Sequence, residues 1–138
     1  MIGTLSTEEI NQLLRRHHVG RIGCSANDRP YVVPINYVYE YDAIYSFSVP
    51  GRKINIMREQ PLVSFEIDEI DGPSNWRSVI VEGVYEELTD KSSLALATRL
   101  LANGFGALVP RGLDASPPMV LFRIRLTETS GRFERRDA

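Results

Sequence analysis

Arg52 and Lys53 follow Gly51 where an apolar strand pattern, Ile44 to Ser48, gives way through Val49-Pro50-Gly51 to a helical one, RKINIM. A helix start already presents unsatisfied N–H groups and the positive end of the peptide dipoles, so two cations there are unfavourable unless an anion joins them. The chemistry open to such a grouping is to hold a phosphate or another small anion, with backbone N–H groups and full side-chain charges acting together. The alternative is an ordinary solvated basic pair, and what the chain places beside it decides between the two.

Other residue types offer less. Cys24 is the only cysteine, which excludes an internal disulfide and leaves a zinc site without its usual thiolates. His17 and His18 are adjacent, so on a helix they point ~100° apart and cannot share a metal; favourable charge at a helix C-terminus suits them better. Glu66, Asp68, Glu69 and Asp71 alternate as an exposed strand end would. No serine or cysteine stands in a nucleophile motif, so hydrolysis has no positive support. Tyr31, Tyr37, Tyr39, Tyr41 and Tyr45 with Arg29 are read as β-formers rather than a base-stacking platform, because the chain carries a formal net charge of −2. That charge also argues against a general nucleic-acid or anionic-membrane binder.

The 138 residues, 43% of them hydrophobic, suit one domain over residues 1–138. No targeting pattern and no apolar run of spanning length is visible, and a lone thiol fits a reducing compartment, so a cytoplasmic protein is expected.

The elements that must position the basic pair follow from periodicity and turn chemistry. Ser6 to Glu9 reads as a capping box opening a short helix with Ile10, Leu13 and Leu14 on one face. Val19 to Ser25 and Tyr31 to Glu40 read as a hairpin turning at Asn27-Asp28-Arg29-Pro30. Pro34 cannot donate to a ladder, which predicts an edge, a bulge or a break there and leaves nearby backbone groups free for a ligand. Ile44 to Ser48 is a third strand, and Gly51 to Glu59 a helix ended by Pro61. Leu62 to Asp68, a polar loop Glu69 to Asn75, and a long strand Trp76 to Leu88 come next. A helix from Asp90 to Gly104 presents Leu94, Ala97, Leu100 and Leu101, and an irregular segment runs to Pro118. Met119 to Leu126 and a last strand through Phe133 close the sheet. The sum is a mainly β fold: six or seven antiparallel strands with two or three helices, in a closed or partly closed barrel.

In order along the chain stand VVPINY, IYSFS, GRK, WRSV and SGRFE. That series resembles the pyridoxamine 5′-phosphate oxidase-like FMN-binding split barrels, most of all the small branch that includes nitroimidazole-resistance proteins, and covers nearly the whole chain. The resemblance implies a Greek-key split barrel with FMN as cofactor. Arg52 and Lys53 would bind its phosphate, Phe47 and Ser48 would run beside the ribityl chain, and the Pro34, Ile35 and Asn36 backbone would meet the ring. Trp76, Arg77 and Ser78 would add a flat wall and polar contacts. It implies a homodimer with each flavin in a groove between subunits, and an FMN-dependent oxidoreductase acting on a small molecule, with NADH or NADPH as donor. Members that oxidise pyridoxamine phosphate carry a C-terminal segment with Arg and His residues; this chain closes on SGRFERRDA, which points away from vitamin B6 oxidation. The histidine that the nitroimidazole-resistance branch often carries near the third strand has no counterpart in IYSFSVPG, which points away from nitroimidazole reduction, while a nitro-compound reductase-like activity stays among those the resemblance implies. Related barrels include flavin carriers, sensors and haem or deazaflavin binders. An oligonucleotide-binding barrel is the rival from another class.

Overall fold

Ser6 opens the first helix through both halves of a capping box: its Oγ accepts from the Glu9 N–H at 3.2 Å, and the Glu9 carboxylate accepts from the Ser6 N–H at 3.0 Å. The computed structural model describes residues 1–105 and 119–136. In chain order the described elements are β1 (Ile2–Thr4), α1 (Thr7–Arg16), β2 (Val19–Ala26), β3 (Arg29–Asn36), β4 (Val38–Glu40), β5 (Ala43–Ser48), α2 (Arg52–Glu59), β6 (Leu62–Gly72), β7 (Asn75–Glu87), α3 (Lys91–Phe105) and β8 (Val120–Glu134). Two hairpins turn through positive φ: Asn27-Asp28, whose short polar side chains tolerate it, joins β2 to β3 at 54° and 60°, and Tyr41-Asp42 joins β4 to β5 at 52° and 54°, where only Asp42 is of that type.

All pairings are antiparallel, and the sheet runs β3-β2-β6-β7-β8-β5-β4, with β1 added to β8. The ladder does not close on itself. Its two ends, β3 and β4, are consecutive segments joined at Tyr37, which is fully buried and donates its hydroxyl to the Leu14 carbonyl at 2.7 Å. The barrel is therefore split between β3 and β5, sealed at one end by the chain itself. Ile22, Phe65, Val79, Val81 and Ile124 fill the interior with Leu13 and Leu14 of α1 and Ile54 and Met57 of α2. A smaller cluster on the outer side of β5 and β8, with Ala43, Tyr45 and Leu121, is covered by Ala97 and Leu101 of α3.

Several expectations need correction. Eight strands are described rather than six or seven, because the short β1 adds to the sheet and the expected second strand divides at Tyr37 into β3 and β4. The two expected C-terminal strands are one, β8, which pairs with β7 across a single register shift at Glu82/Gly83. Glu69 to Asn75 is no polar loop: β6 continues to Gly72 and turns tightly into β7 at Asn75. Of the three settings expected for Pro34 the edge is the one found: β3 ends the sheet and the β2–β3 register runs unbroken through Arg21↔Pro34, so only the broken ladder is set aside. The expected irregular segment before Pro118 lies outside the described residues.

Candidate functional site

The start of α2 carries no compensation for its charge. Gly51 caps the helix without a side-chain hydrogen bond, and the first turn holds no acidic residue. Ile54 and Met57 are buried and set which face of α2 is inward. That orientation lays the basic pair over the β2–β3 hairpin, where Cys24 and Tyr31 are cross-strand partners. The Arg52 guanidinium sits 4.6 Å from the centroid of the Tyr31 ring. Lys53 is half-buried near Cys24; burial pulls its ammonium below the ordinary value, with Cys24 opposing, and burial pushes the Cys24 thiol up. Neither cation is ion-paired among the described residues. A groove of about 820 Å³ passes Arg29, Gly51, Arg52 and Asn55.

Below this point lies the split. Pro34 and Asn36 face outward on edge strand β3, while Ile35 between them is buried in the core. The Asn36 carbonyl accepts from Ser46 Oγ at 2.6 Å, so β3 and β5 meet here and the split opens toward α2. Ser48 is buried on the interior face of β5, its hydroxyl donating to the Val49 carbonyl at 2.7 Å. Phe47 alternates to the other face, where its ring stands edge-on to Phe105 of α3, 5.9 Å between centroids. Of the residues singled out in the sequence, Pro34 and Asn36 stand on the outer side of β3, Ser48 on the interior face of β5 and Arg52 and Lys53 over the β2–β3 hairpin, while Ile35 turns into the core and Phe47 toward α3.

Trp76, Arg77 and Ser78 stand elsewhere in the chain. Pro34, Arg21, Glu66 and Ile80 form one row across β3, β2, β6 and β7. Ser78 is two residues from Ile80, so it lies three strand spacings, about 14 Å, from β3. Neighbouring residues also alternate faces. Arg77 hydrogen-bonds to Glu69 in a cluster in which Arg16 Nη2 and His17 Nε2 lie 2.6 and 2.5 Å from Glu69 Oε2. Trp76 donates from Nε1 to Glu134 at 3.1 Å, and with Arg77, Phe133 and Arg135 it lines a cavity of about 470 Å³. The two histidines point to different partners, His17 to Glu69 and His18 to the Tyr37 carbonyl at 3.1 Å.

The acidic strand end resolves into two settings. Burial would raise the Glu69 carboxyl, but the hydrogen bonds from Arg16 and His17 and the charge of Arg77 bring it down to about 2. Glu66 is raised to about 7, first by burial and then by the Asp68 carboxylate, against the partial relief of Arg21 at 3.5 Å.

Chemically, the head of the split offers two cations without ion-pair partners among the described residues, the N–H groups of a helix start, and those backbone groups of edge strand β3 that neither β2 nor Ser46 engages. That donor set fits a phosphate-bearing ligand extended along β3. Sequence reasoning passed over Tyr31, Arg29 and Ser46 as site residues. A signal was present for Tyr31, three residues past the turn and hence at the hairpin end that a following helix could cover.

Comparison with known proteins agrees with this architecture. An FAD-binding protein of Mesorhizobium loti, known from its crystal structure, is 37% identical over 98% of this chain and 99% of its own, with a TM-score of 0.79. The FAD-binding protein of Mycobacterium smegmatis is 27% identical over 96% of this chain and 98% of its own, with a TM-score of 0.72. An uncharacterized protein of Rhizobium meliloti (strain 1021) is 39% identical over 87 residues, 63% of this chain and 58% of that protein, so the match spans little more than half the relative's length. Residues 6–133 match the pyridoxamine 5′-phosphate oxidase family model, and the chain belongs to that family, with its split-barrel fold.

Proposed function

We propose that this protein binds FMN and works as a homodimeric oxidoreductase on a small molecule, with NADH or NADPH as electron donor. The observation that carries the reading is the basic pair: Arg52 and Lys53, without ion-pair partners among the described residues, at the uncapped start of α2 and the head of the split. Arg52 and Lys53 would hold the phosphate with the N–H groups of the first helical turn. Edge strand β3 at Pro34 to Asn36 would offer the polar side of the ring its remaining outward backbone groups, Pro34 bringing no N–H and the Asn36 carbonyl already accepting from Ser46, and Ser48 would run beside the ribityl chain. A bound flavin supplies hydride and electron transfer; the protein's part is binding, orientation and electrostatic tuning. Trp76 and Ser78, remote from Arg52 in their own chain, would complete the groove from the second subunit. The free, buried Cys24 suits a cytoplasmic setting.

The test is the visible spectrum of the purified protein and the mass of whatever heat releases. Oxidised-flavin bands bleached by NADH or NADPH support the reductase; a flavin that neither donor reduces favours a carrier, and a colourless protein that no flavin colours on titration sinks the proposal. A second reading, FAD in place of FMN, is favoured by the names of the Mesorhizobium and Mycobacterium relatives. The released mass separates the two, and both need the same phosphate anchor.

A further inference from the structure

Two arginines on α2 are held in contrasting ways. Arg58 is locked to a carboxylate, its Nε and Nη2 donating to Glu87 at 2.8 and 3.0 Å. Arg52, at the other end of the helix, is held by the face of an aromatic ring. A carboxylate neutralises the guanidinium it orients and occupies its N–H fork. An aromatic face attracts the cation through its quadrupole but accepts none of the in-plane N–H bonds, so charge and donors stay available.

We propose that Tyr31 is a positioning residue of the anion site: its ring holds the Arg52 guanidinium over the β2–β3 hairpin and aims the still-charged, still-open fork at the ligand's phosphate. This rests on the phosphate-anchor reading of Arg52 and Lys53. Tyr31 is itself well placed to be rigid. It packs against the interior cluster and pairs with buried Cys24 across a hairpin whose two-residue turn sets the register. Arg52 is exposed at the helix start, where a free arginine side chain would sample many rotamers. Stacking removes part of that freedom before the ligand arrives, so less is lost on binding.

The experiment is FMN titration by flavin fluorescence on Tyr31→Phe, Tyr31→Leu, Arg52→Lys, Arg52→Ala and the double variants carrying Tyr31→Leu, each checked for folding by thermal melting without flavin. Tyr31→Phe keeps the ring face and should bind within about two-fold of the parent, while Tyr31→Leu should weaken FMN about five-fold, the scale of one exposed cation–π contact. In the Arg52→Ala background Tyr31→Leu should have no further effect. Arg52→Lys keeps the charge without the planar stack, and should likewise bind more weakly and lose most of its sensitivity to Tyr31. If Arg52→Ala binds FMN as the parent does, the phosphate-anchor reading has failed. If Arg52→Ala is weakened yet Tyr31→Leu is not, or its effect is equally large without Arg52, Tyr31 has no positioning role. Should Tyr31→Leu not fold, Tyr31→Val, a β-former without a ring, takes its place in the same cycle with Arg52→Ala and is read by the same outcomes, and a loss on removing only the hydroxyl in Tyr31→Phe overturns the stacking argument.

Discussion

Glu66 and Glu69 stand three residues apart on β6 and respond to pH in opposite senses: burial and then the Asp68 carboxylate outweigh Arg21 at Glu66, whereas at Glu69 burial is outweighed by Arg16, His17 and Arg77. Glu69 is lowered in the fold from 4.5 to about 2, so its stabilising contribution is present above about pH 4.5 and lost as pH falls toward 2. Glu69→Gln should flatten acid unfolding in that window and cost about 2 kcal/mol at pH 7. That is less than the whole shift implies, because the guanidinium groups of Arg16 and Arg77 are 52% and 42% exposed and screened. Glu66 is raised from 4.5 to about 7, so its contribution is present below about pH 4.5 and lost as pH rises through 7. Glu66→Gln should therefore be more stable than the parent at pH 8 and little different at pH 4.5, by urea denaturation at each pH. Equal midpoints at pH 8 would show that the Asp68 carboxylate imposes no strain on its neighbour. At the cofactor site, replacing Arg52 or Lys53 by alanine should weaken FMN by roughly 1.5 to 3 kcal/mol each in a titration, the range for a charge-assisted contact. Affinity within a few-fold of the parent would remove the anchor.

Among elements, the β7–β8 pairing shows most directly how a single residue type shapes the sheet. The register shifts at Glu82/Gly83, and a Cβ on Gly83 would stand 2.6 Å from the Arg125 carbonyl oxygen and 2.6 Å from the Ile124 side chain. The backbone oxygen is fixed in a ladder and cannot give way as a flexible side chain would. Gly83→Ala should cost about 1 to 3 kcal/mol in chemical denaturation, and an unchanged midpoint would mean the bulge relaxes freely. The capping box of α1, local in sequence and built from residues three apart, was legible from the chain alone, as were the inward faces of α1 and α2. The extent of β6 was not: its last residues, Glu69 to Gly72, hold two carboxylates and a glycine around Ile70 and carry a loop's composition, yet Glu69 pairs with Arg77 and Ile70 with Trp76 of β7.

For the whole molecule, the decisive feature is that Arg52 and Trp76-Arg77-Ser78 lie apart within one chain, with β2 and β6 between β3 and β7. A homodimer that completes each groove with the second subunit's Trp76 and Ser78 makes a sharp prediction. Arg52→Ala/Lys53→Ala and Trp76→Ala/Ser78→Ala homodimers should each bind flavin weakly. A heterodimer of the two has one site with every defect and one with none, so it should bind one flavin with parental affinity, read from absorbance of the purified mixed species. If both residue groups serve the same subunit's flavin, the heterodimer holds two damaged sites and parental binding does not return.

What the chain by itself determined is local and periodic: the cap at Ser6, the hairpin at Asn27-Asp28, the alternation of buried and exposed positions, the helix start with two uncompensated cations, and an ordered series of motifs sufficient to indicate the family. Those features depend on residues a few positions apart, where backbone preference and side-chain chemistry act directly. Only the tertiary structure decided which strand became an edge and that the barrel stays split between β3 and β5. It also decided that Arg77 meets Glu69 of β6, and that Arg52 rests on Tyr31 rather than on a carboxylate. The physical reason is that these depend on contacts between residues far apart in sequence. Strand order and register bring such residues together, and period two fixes only which side of the sheet each one faces.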